Sequence, residues 1–395
     1  MVSINEQNFK DRRAIIRVDF NVPMSPEKKV QDSSRIQGAK STILKVINDG
    51  GSCILISHLG RPKGKQNSLS LKPIVSELQN ILGRKVIFCE DVLGKKTESK
   101  INALQPGQII LLENIRFYKE ETNGDQVFAK KIASYGDCYI NDAFGSAHRA
   151  HASTTIIAKF FNNNKFSGHL LSKEIESIEQ VLSFGKKPVL AILGGAKVSS
   201  KITIIESMMN KVDEIIIGGG MAFTFIKALG GKIGDSICEE DKLDLALSIL
   251  AKAKAKGVRI HLPVDVVCSK EFSNDGIKKI HKIRSIPNDW QGLDAGPKSI
   301  TDFSKVIKRA KTILWNGPIG VFELESFSKG TIAIGQSIVE STKNGAFSLV
   351  GGGDSVAAVK KFHFQNKVSY VSTGGGAMLE SLEGKDLPGV TALSN

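Results

Sequence analysis

Arg17, Arg35, Arg61, Arg116 and Arg149 all fall in the first 150 residues, beside apolar runs or turn signals, in a chain with eleven arginines among 54 basic residues. Where lysine is the common cation, an arginine at a strand end points to its planar fork of donors. That fork holds carboxylate or phosphate oxygens two at a time. Polar neighbours extend the pattern: Asp19 and Asn21 in RVDFNVP (17–23), His58 in SHLGRP (57–62), LLENIRF (111–117), and His148 in NDAFGSAHRAH (141–151). Arg17 stands inside its apolar run, where a charge is costly unless it is paired or faces a cleft. Arg35 alone is equally consistent with a structural salt bridge. Together the arginines and histidines predict a site for a small polyanion. His58, His148 and His151 offer imidazoles, but no nearby cysteine or spaced carboxylate completes a metal-ligand set.

The second half has a complementary bias. Of 38 glycines, 27 follow residue 166, and they cluster as Gly194-Gly195, Gly218 to Gly220, Gly351 to Gly353 and Gly374 to Gly376. Each cluster follows a β-branched run, so bare backbone amides could approach a phosphate at the mouth of a following helix. LGGAKVSSK (193–201) puts Lys197 in a glycine-rich turn and Lys201 in the expected first turn of a helix capped by Ser199 or Ser200. A cation there opposes the helix dipole by ~0.3–1 kcal/mol, which makes physical sense if an anion sits between them. In VGGGDS (350–355), Asp354 and Ser355 open a helix. Asp354 is equally consistent with an N-cap or with a magnesium ligand reached through phosphates, because Mg²⁺ commonly takes one or two protein carboxylates. WNGPIGVFE (315–323) adds Asn316 and Glu323, an amide and an acid that could bind nucleotide hydroxyls or cap turns.

These residues need a frame. Short apolar runs at 14–20, 53–58, 86–89, 108–113, 138–142, 188–193, 214–217, 258–267, 312–315, 347–350 and 368–372 predict strands. Helical spacing at 35–48, 72–82, 125–135, 240–256 and 328–342 lies between them. Such alternation predicts α/β architecture: two doubly wound parallel-sheet, Rossmann-like domains in a bilobal arrangement. Ligands of open α/β sheets bind beyond the carboxyl ends of strands, which is where the residues above fall. The amphipathic stretch 169–184 follows the polar loop Asn162 to Lys165 and predicts a stiff helical connector. The expected division is therefore 1–168, a hinge helix over 169–185, and 186–380.

At 395 residues the chain exceeds the roughly 250–300 that one core supports, which agrees with two domains. A net charge of +14 favours anionic partners. Aromatics are 6% and no basic helix or stacking motif appears, which argues against a nucleic-acid-binding protein. Cys53, Cys89, Cys138, Cys238 and Cys268 are widely spaced, so reduced thiols are expected. The polar N-terminal segment lacks the apolar stretch of a secretory signal, and no run approaches the ~18 apolar residues of a membrane span. A soluble, cytoplasmic protein is expected. The phosphate loop G-x-x-x-x-G-K-[ST], the dinucleotide fingerprint and the protein-kinase signatures are missing, which counts against a nicotinamide-dependent oxidoreductase and the commonest nucleotide enzymes.

RVDFNVP, SHLGRP, LLENIRF, NDAFGSAHRAH, GGAKVSSK, GGGMAFTF, NGPIGVFE, GGGDS and STGGGA occur in this order across nearly the whole chain. Together they resemble the phosphoglycerate kinase family. The resemblance implies a phosphotransferase that moves a phosphoryl group between 1,3-bisphosphoglycerate and ADP, giving 3-phosphoglycerate and ATP with Mg²⁺ after domain closure. It implies phosphoglycerate binding by Asp19, Asn21, Arg35, His58, Arg61, Arg116, His148 and Arg149, with Arg17, Lys197 and Lys201 acting on the transferred group. It further implies nucleotide binding by Lys201, Gly218, Gly219, Gly292, Asn316, Glu323, Gly352, Gly353, Asp354 and Ser355, metal binding by Asp354, and contact of Gly375 and Gly376 with the phosphoryl in flight. A monomer, without specific nucleic acid or membrane partners, fits the family, as does a C-terminal segment 381–395 packing back on the first domain. Departures are Ser33-Ser34 where the family usually has Asp-Thr, Ser200 in place of a common acid, and Ser381 in a usually apolar pair.

Overall fold

Runs of β-branched residues bounded by glycine and polar turns form strands, and amphipathic stretches between them form helices, in a computed structural model describing residues 1–394. Two compact units result: Met1–Ile175 with the segment from Asp386 onward, and Glu176–Lys385. The first unit holds β1 (Arg13–Arg17), β2 (Ser52–Ile56), β3 (Val86–Cys89), β4 (Ile109–Leu112), β5 (Cys138–Asn141) and β6 (Lys165–Ser167). They pair in parallel in the order β3-β4-β2-β1-β5-β6. Ile15, Ile54, Leu55, Leu111 and Ile140 are fully buried, the pattern of strands covered on both faces. Each such side chain contributes roughly 1.5–3 kcal/mol by leaving water.

Helices α1 (Ser34–Asn48), α2 (Ile74–Leu82), α3 (Lys95–Asn102), α4 (Lys119–Asn123) and α5 (Gln126–Ala133) belong to this unit. On α1 the buried positions are Ile36, Ala39, Ile43, Val46 and Ile47, an apolar stripe at helical spacing, joined by the polar Thr42. Gly83 ends α2 at φ +64 with its N–H on the Gln79 carbonyl, a left-handed cap that suits glycine. α6 (His169–Leu182) begins in the first unit and runs past the division after Ile175.

The second unit contains β7 (Val189–Leu193), β8 (Glu214–Ile217), β9 (Lys232–Ile233), β10 (Arg259–His261), β11 (Asp265–Ser269), β12 (Lys278–Lys282), β13 (Ser285–Ile286), β14 (Gln291–Ala295), β15 (Thr312–Asn316), β16 (Phe347–Val350) and β17 (Tyr370–Val371). Six of them form a parallel sheet in the order β10-β8-β7-β15-β16-β17. Helices α7 (Ile202–Met208), α8 (Met221–Ala228), α9 (Leu243–Ala255), α10 (Pro297–Arg309), α11 (Lys329–Lys343), α12 (Gly353–Lys361) and α13 (Gly376–Leu382) connect and cover these strands, and α14 (Pro388–Thr391) lies in the first unit. Among the described residues no helix is long and apolar enough to cross a membrane.

The apolar run 258–267, read as one strand, is two. Pro263 has no N–H for a ladder, and the chain breaks there. β10 joins the large sheet, while β11 pairs antiparallel with β12 and β14. Nothing in the apolar pattern marks β12, because three of its five residues are lysines and most of the strand is exposed.

Both large sheets change direction at an interior pair. In the first unit the chain leaves β1 toward β2 and returns on its other side as β5; in the second it leaves β7 toward β8 and returns as β15. Loops diverge at such points and leave a crevice beyond the strand ends. Arg17 ends β1, and Gly194 and Asn316 lie at the ends of β7 and β15.

Candidate active site

In the first unit Arg17 is fully buried. Its Nε donates to Ser153 Oγ at 2.8 Å, Nη1 to the Val18 carbonyl, and Nη2 lies 3.1 Å from His58 Nδ1. Ser153 in turn gives its hydroxyl to Glu121 Oε1 at 2.7 Å and its amide to Oε2 at 2.9 Å. A buried guanidinium is costly without compensation. Here a buried carboxylate supplies it through one hydroxyl, and the fork stays aimed by its three partners.

The loops after β1, β2 and β4 are tied together by the other expected residues. Arg35 Nη1 contacts Asp19 Oδ2 at 2.9 Å and the Asn21 carbonyl at 3.1 Å. Asn21 Oδ1 accepts from Gly60 N–H at 2.8 Å, and Arg116 Nη1 donates to the Gly60 carbonyl at 2.8 Å. Asn114 Nδ2 donates to Leu59 and Leu69 carbonyls, both at 2.8 Å, which fixes the SHLGRP loop from below. Arg61, Arg116 and Arg149 line one groove with Lys63 and Tyr118, and Arg149 Nε lies 3.2 Å from His148 Nε2. The salt-bridge reading of Arg35 is thus realised in its contact with Asp19, while the guanidinium remains partly exposed.

Burial first, then the fields of Arg17, Arg116 and Arg35, hold His58 well below the usual imidazole range. Burial and the Arg116 and Arg17 charges push His151 down to about 4. Both rings are neutral at pH 7; His58 pairs with Arg17 without adding charge, whereas His151 Nδ1 is buried with no hydrogen-bond partner. Burial, with help from Arg17 and Arg149, lowers Arg116 to about 10, so it stays cationic in a field of like charge. A dianion placed here would relieve that repulsion.

In the second unit Lys201 occupies the N-cap position of α7, and its Nζ donates to Asn316 Oδ1. The expected serine cap is absent. Ser199 instead bonds Glu239 through its amide at 2.9 Å, and Ser200 Oγ donates to the Lys197 carbonyl at 2.8 Å. Burial lowers the Lys201 ammonium from its ordinary value, against the pull of Asp354. Asn316 Nδ2 donates to the Gly351 carbonyl at 2.8 Å, and a side chain at Gly352, at φ +89, would overlap Asn316. Gly317 N–H donates to Ser355 Oγ at 2.5 Å. Asp354 is in the first turn of α12 but does not cap it; Gly352 holds that position.

Gly218, Gly219, Gly292, Glu323 and Asp354 line a cavity of about 430 Å³. A Cβ at Gly218 would strike Ile319, and one at Gly292 would strike the Phe223 ring, so glycine keeps backbone open at these walls. Lys197 is exposed on the loop after β7 and does not line this cavity. Gly375, at φ +51, precedes Gly376 at the start of α13, also away from it. All five cysteines are free thiols.

Sequence reasoning missed three groups. Glu121 and Ser153 support Arg17 from behind, yet one sits in a charged helix and the other in a Ser/Thr-rich loop without a motif. Asn114 lies within LLENIRF, where nothing in the sequence marks its role. The apolar cavity wall, including Phe223, Val266, Leu293 and Val321, is indistinguishable in one dimension from ordinary core.

Residues 4–385 match the family model described as phosphoglycerate kinase. The chain is 50% identical to a phosphoglycerate kinase of Porphyromonas gingivalis, over 99% of this chain and all of that protein. It is 49% identical to a cytosolic phosphoglycerate kinase of Triticum aestivum, covering 99% and 97% of the two chains. Its fold superposes on the phosphoglycerate kinase structure from Coxiella burnetii with a TM-score of 0.91 at 41% identity, covering 100% of this chain and 98% of that one. Full-length likeness of sequence and fold joins the arginine-rich and glycine-lined sites in one conclusion: the chain belongs to the phosphoglycerate kinase family.

Proposed function

We propose that the chain transfers a phosphoryl group reversibly from 1,3-bisphosphoglycerate to ADP, with the phosphoglycerate held by the first unit and the nucleotide by the second. The observation that carries this division is chemical. One strand-end crevice is walled by guanidiniums, and the other by glycine amides, an ammonium and an apolar cavity. A phosphoglycerate has a carboxylate and a phosphate but no large apolar part, which suits the first. A nucleotide needs a flat apolar slot for its base beside phosphate donors, which suits the second.

In this reading Arg35, Arg61, Arg116 and Arg149 bind the anionic groups, while Asp19, Asn21, His58 and His148 orient them. Arg17 faces the acyl phosphate end. Lys201 meets the β- and γ-phosphates, Glu323 the ribose hydroxyls, and the turns at Gly218-Gly219 and Gly352-Gly353 the phosphate and base edges. Lys197 and Gly375-Gly376, each outside the cavity, would join when the units close.

Asp354 fits a magnesium ligand. It is an exposed carboxylate on the cavity beside Lys201, and among the described residues no group of three or more His, Cys, Asp or Glu gathers to hold a metal without help from a ligand. That is the donor set expected when most of the coordination comes from water and phosphate oxygens. Bound there, Mg²⁺ would supply charge neutralisation on the nucleotide phosphates.

Phosphoryl transfer asks the protein chiefly for placement and for donors on the equatorial oxygens. Arg17 and Lys201 supply those donors once the connector around α6 lets the reacting atoms approach to ~3–3.5 Å. A coupled assay of ATP-dependent phosphorylation of 3-phosphoglycerate tests the reading. Turnover that requires both substrates and a divalent cation supports it. No turnover from folded protein would reject it.

A further inference from the structure

The chain passes between its two units twice, after Ile175 and after Lys385. Both passages are fastened in the first unit by neighbouring residues at the end of β5. Asn141 Nδ2 donates to the Gly389 carbonyl at 3.0 Å, and Gly389 N–H donates to the Ala147 carbonyl at 2.8 Å, so α14 is clasped from both sides. Asp142 Oδ1 accepts from Leu171 N–H at 3.1 Å in the first turn of α6. His169 N–H goes to Thr42 Oγ1 at 2.8 Å; the nearby Thr42 hydroxyl and Leu170 amide also favour the Asp142 carboxylate, although its Oδ2 is buried without a hydrogen-bond partner of its own.

Asp142 is a fully buried carboxylate, and no cation contributes to its stabilisation. Burial raises its carboxyl to about 7 against the pull of those donors. Its position is also shaped by what is missing, since a Cβ on Gly168 would overlap the Asp142 carboxylate. Such a group is costly unless the order it imposes on α6 is needed.

We propose that Asn141 and Asp142 form a double clasp that fixes where both crossings leave the first unit, making them positioning residues for phosphoryl transfer. The inference rests on the two-unit reading under Proposed function. Closure delivers in-line geometry only if flexing is confined to the few residues between clasp and division. A loosened clasp lets α6 start from several directions, and misplacement by about 1 Å can cost on the order of 100-fold in rate. Neither residue touches substrate in this account, so loosening should spare the binding of each substrate alone.

The test compares wild type with Asp142→Ala, Asp142→Asn, Gly168→Ala and Asn141→Asp. Expected are a kcat fall of tenfold or more for Asp142→Ala, Gly168→Ala and Asn141→Asp, with Kd for 3-phosphoglycerate and for ADP, each measured alone by calorimetry, within twofold of wild type. Asp142→Asn keeps the Oδ1 acceptor and should recover most of the rate. An unchanged kcat in Gly168→Ala and Asp142→Ala, or a rise in the 3-phosphoglycerate Kd matching the loss of rate, would overturn the proposal. Amide hydrogen exchange separates it from the reading it rests on. Exchange at Leu170 and Leu171 should accelerate in Asp142→Ala, and at Gly389 in Asn141→Asp, whether or not the wild type turns over; unaltered exchange at these amides refutes the clasp directly.

Discussion

Neutralising Glu121 while keeping its shape, as Glu121→Gln, removes the carboxylate that balances Arg17 through Ser153. Arg17 is fully buried and Glu121 likewise, so the remaining guanidinium would keep its desolvation cost without its counter-charge. Breaking a buried ion pair at one partner costs about 3–5 kcal/mol. A hydroxyl intervenes here and the amide retains one acceptor for Ser153, so the lower end, about 3 kcal/mol, applies. For a unit of this size that corresponds to a fall of roughly 6–12 °C in melting temperature, at about 2–4 °C per kcal/mol. Arg17→Met alone also destabilises, by stranding the buried Glu121. The double variant removes both charges, so its cost should fall short of the sum of the two singles by about 1–3 kcal/mol. Thermal unfolding of all four proteins measures this coupling, with Trp290 and Trp315, both in the second unit, as an internal reference. Additive losses would refute the pairing, and with it the explanation of how Arg17 is held at the end of β1.

Further outcomes follow from the same geometry. His58 and His151 have folded-state affinities for protons below their unfolded ones, so the stability they provide is present above pH 6.5 and lost as pH falls below it. Asp142, raised from 3.8 to about 7, acts oppositely: its contribution is full below 3.8 and lost as pH rises through 7. Over the range from 6.5 toward 4 the two histidines remove stability on acidification while the one carboxyl adds it, so the histidines give the first unit a downward slope. His151→Gln should flatten that slope in urea titrations at several pH values, and an unaltered slope would contradict the assignment. Lys201→Ala should lower kcat by about 100- to 1000-fold, the cost of one donor to transition-state oxygens, with the circular dichroism spectrum unchanged; a rate within threefold of wild type would remove Lys201 from the chemistry. Gly352→Ala forces a side chain against Asn316 at a left-handed position and should weaken ADP binding at least tenfold by calorimetry. Unchanged ADP affinity would show that the turn does not touch nucleotide.

Much of the frame was readable because a doubly wound sheet repeats one simple signal. Buried parallel strands such as β4 and β7 are unbroken apolar runs, and α1 carries its stripe at helical spacing. The small antiparallel sheet was invisible because β12 is exposed and lysine-rich, even though it pairs with β11 close by in sequence, Ser269 opposite Lys278. At the site, charged residues at strand ends were legible because an arginine beside apolar residues is expensive and so informative. Their supports were not. Glu121 and Asp142 act through burial, and burial is decided by packing. The expected serine cap before α7 failed for a tertiary reason: Glu239, far along the chain, captures Ser199.

In the proposed function the two substrates are held by separate units, one through guanidiniums and one through glycine-lined backbone. Isothermal titration of 3-phosphoglycerate and of ADP into Arg61→Ala/Arg149→Ala and into Gly352→Ala measures it most directly. The arginine double variant should lose 3-phosphoglycerate affinity while ADP binding holds, and the glycine variant should show the reverse. Loss of both ligands in either protein, or a crossed pattern, would contradict the division.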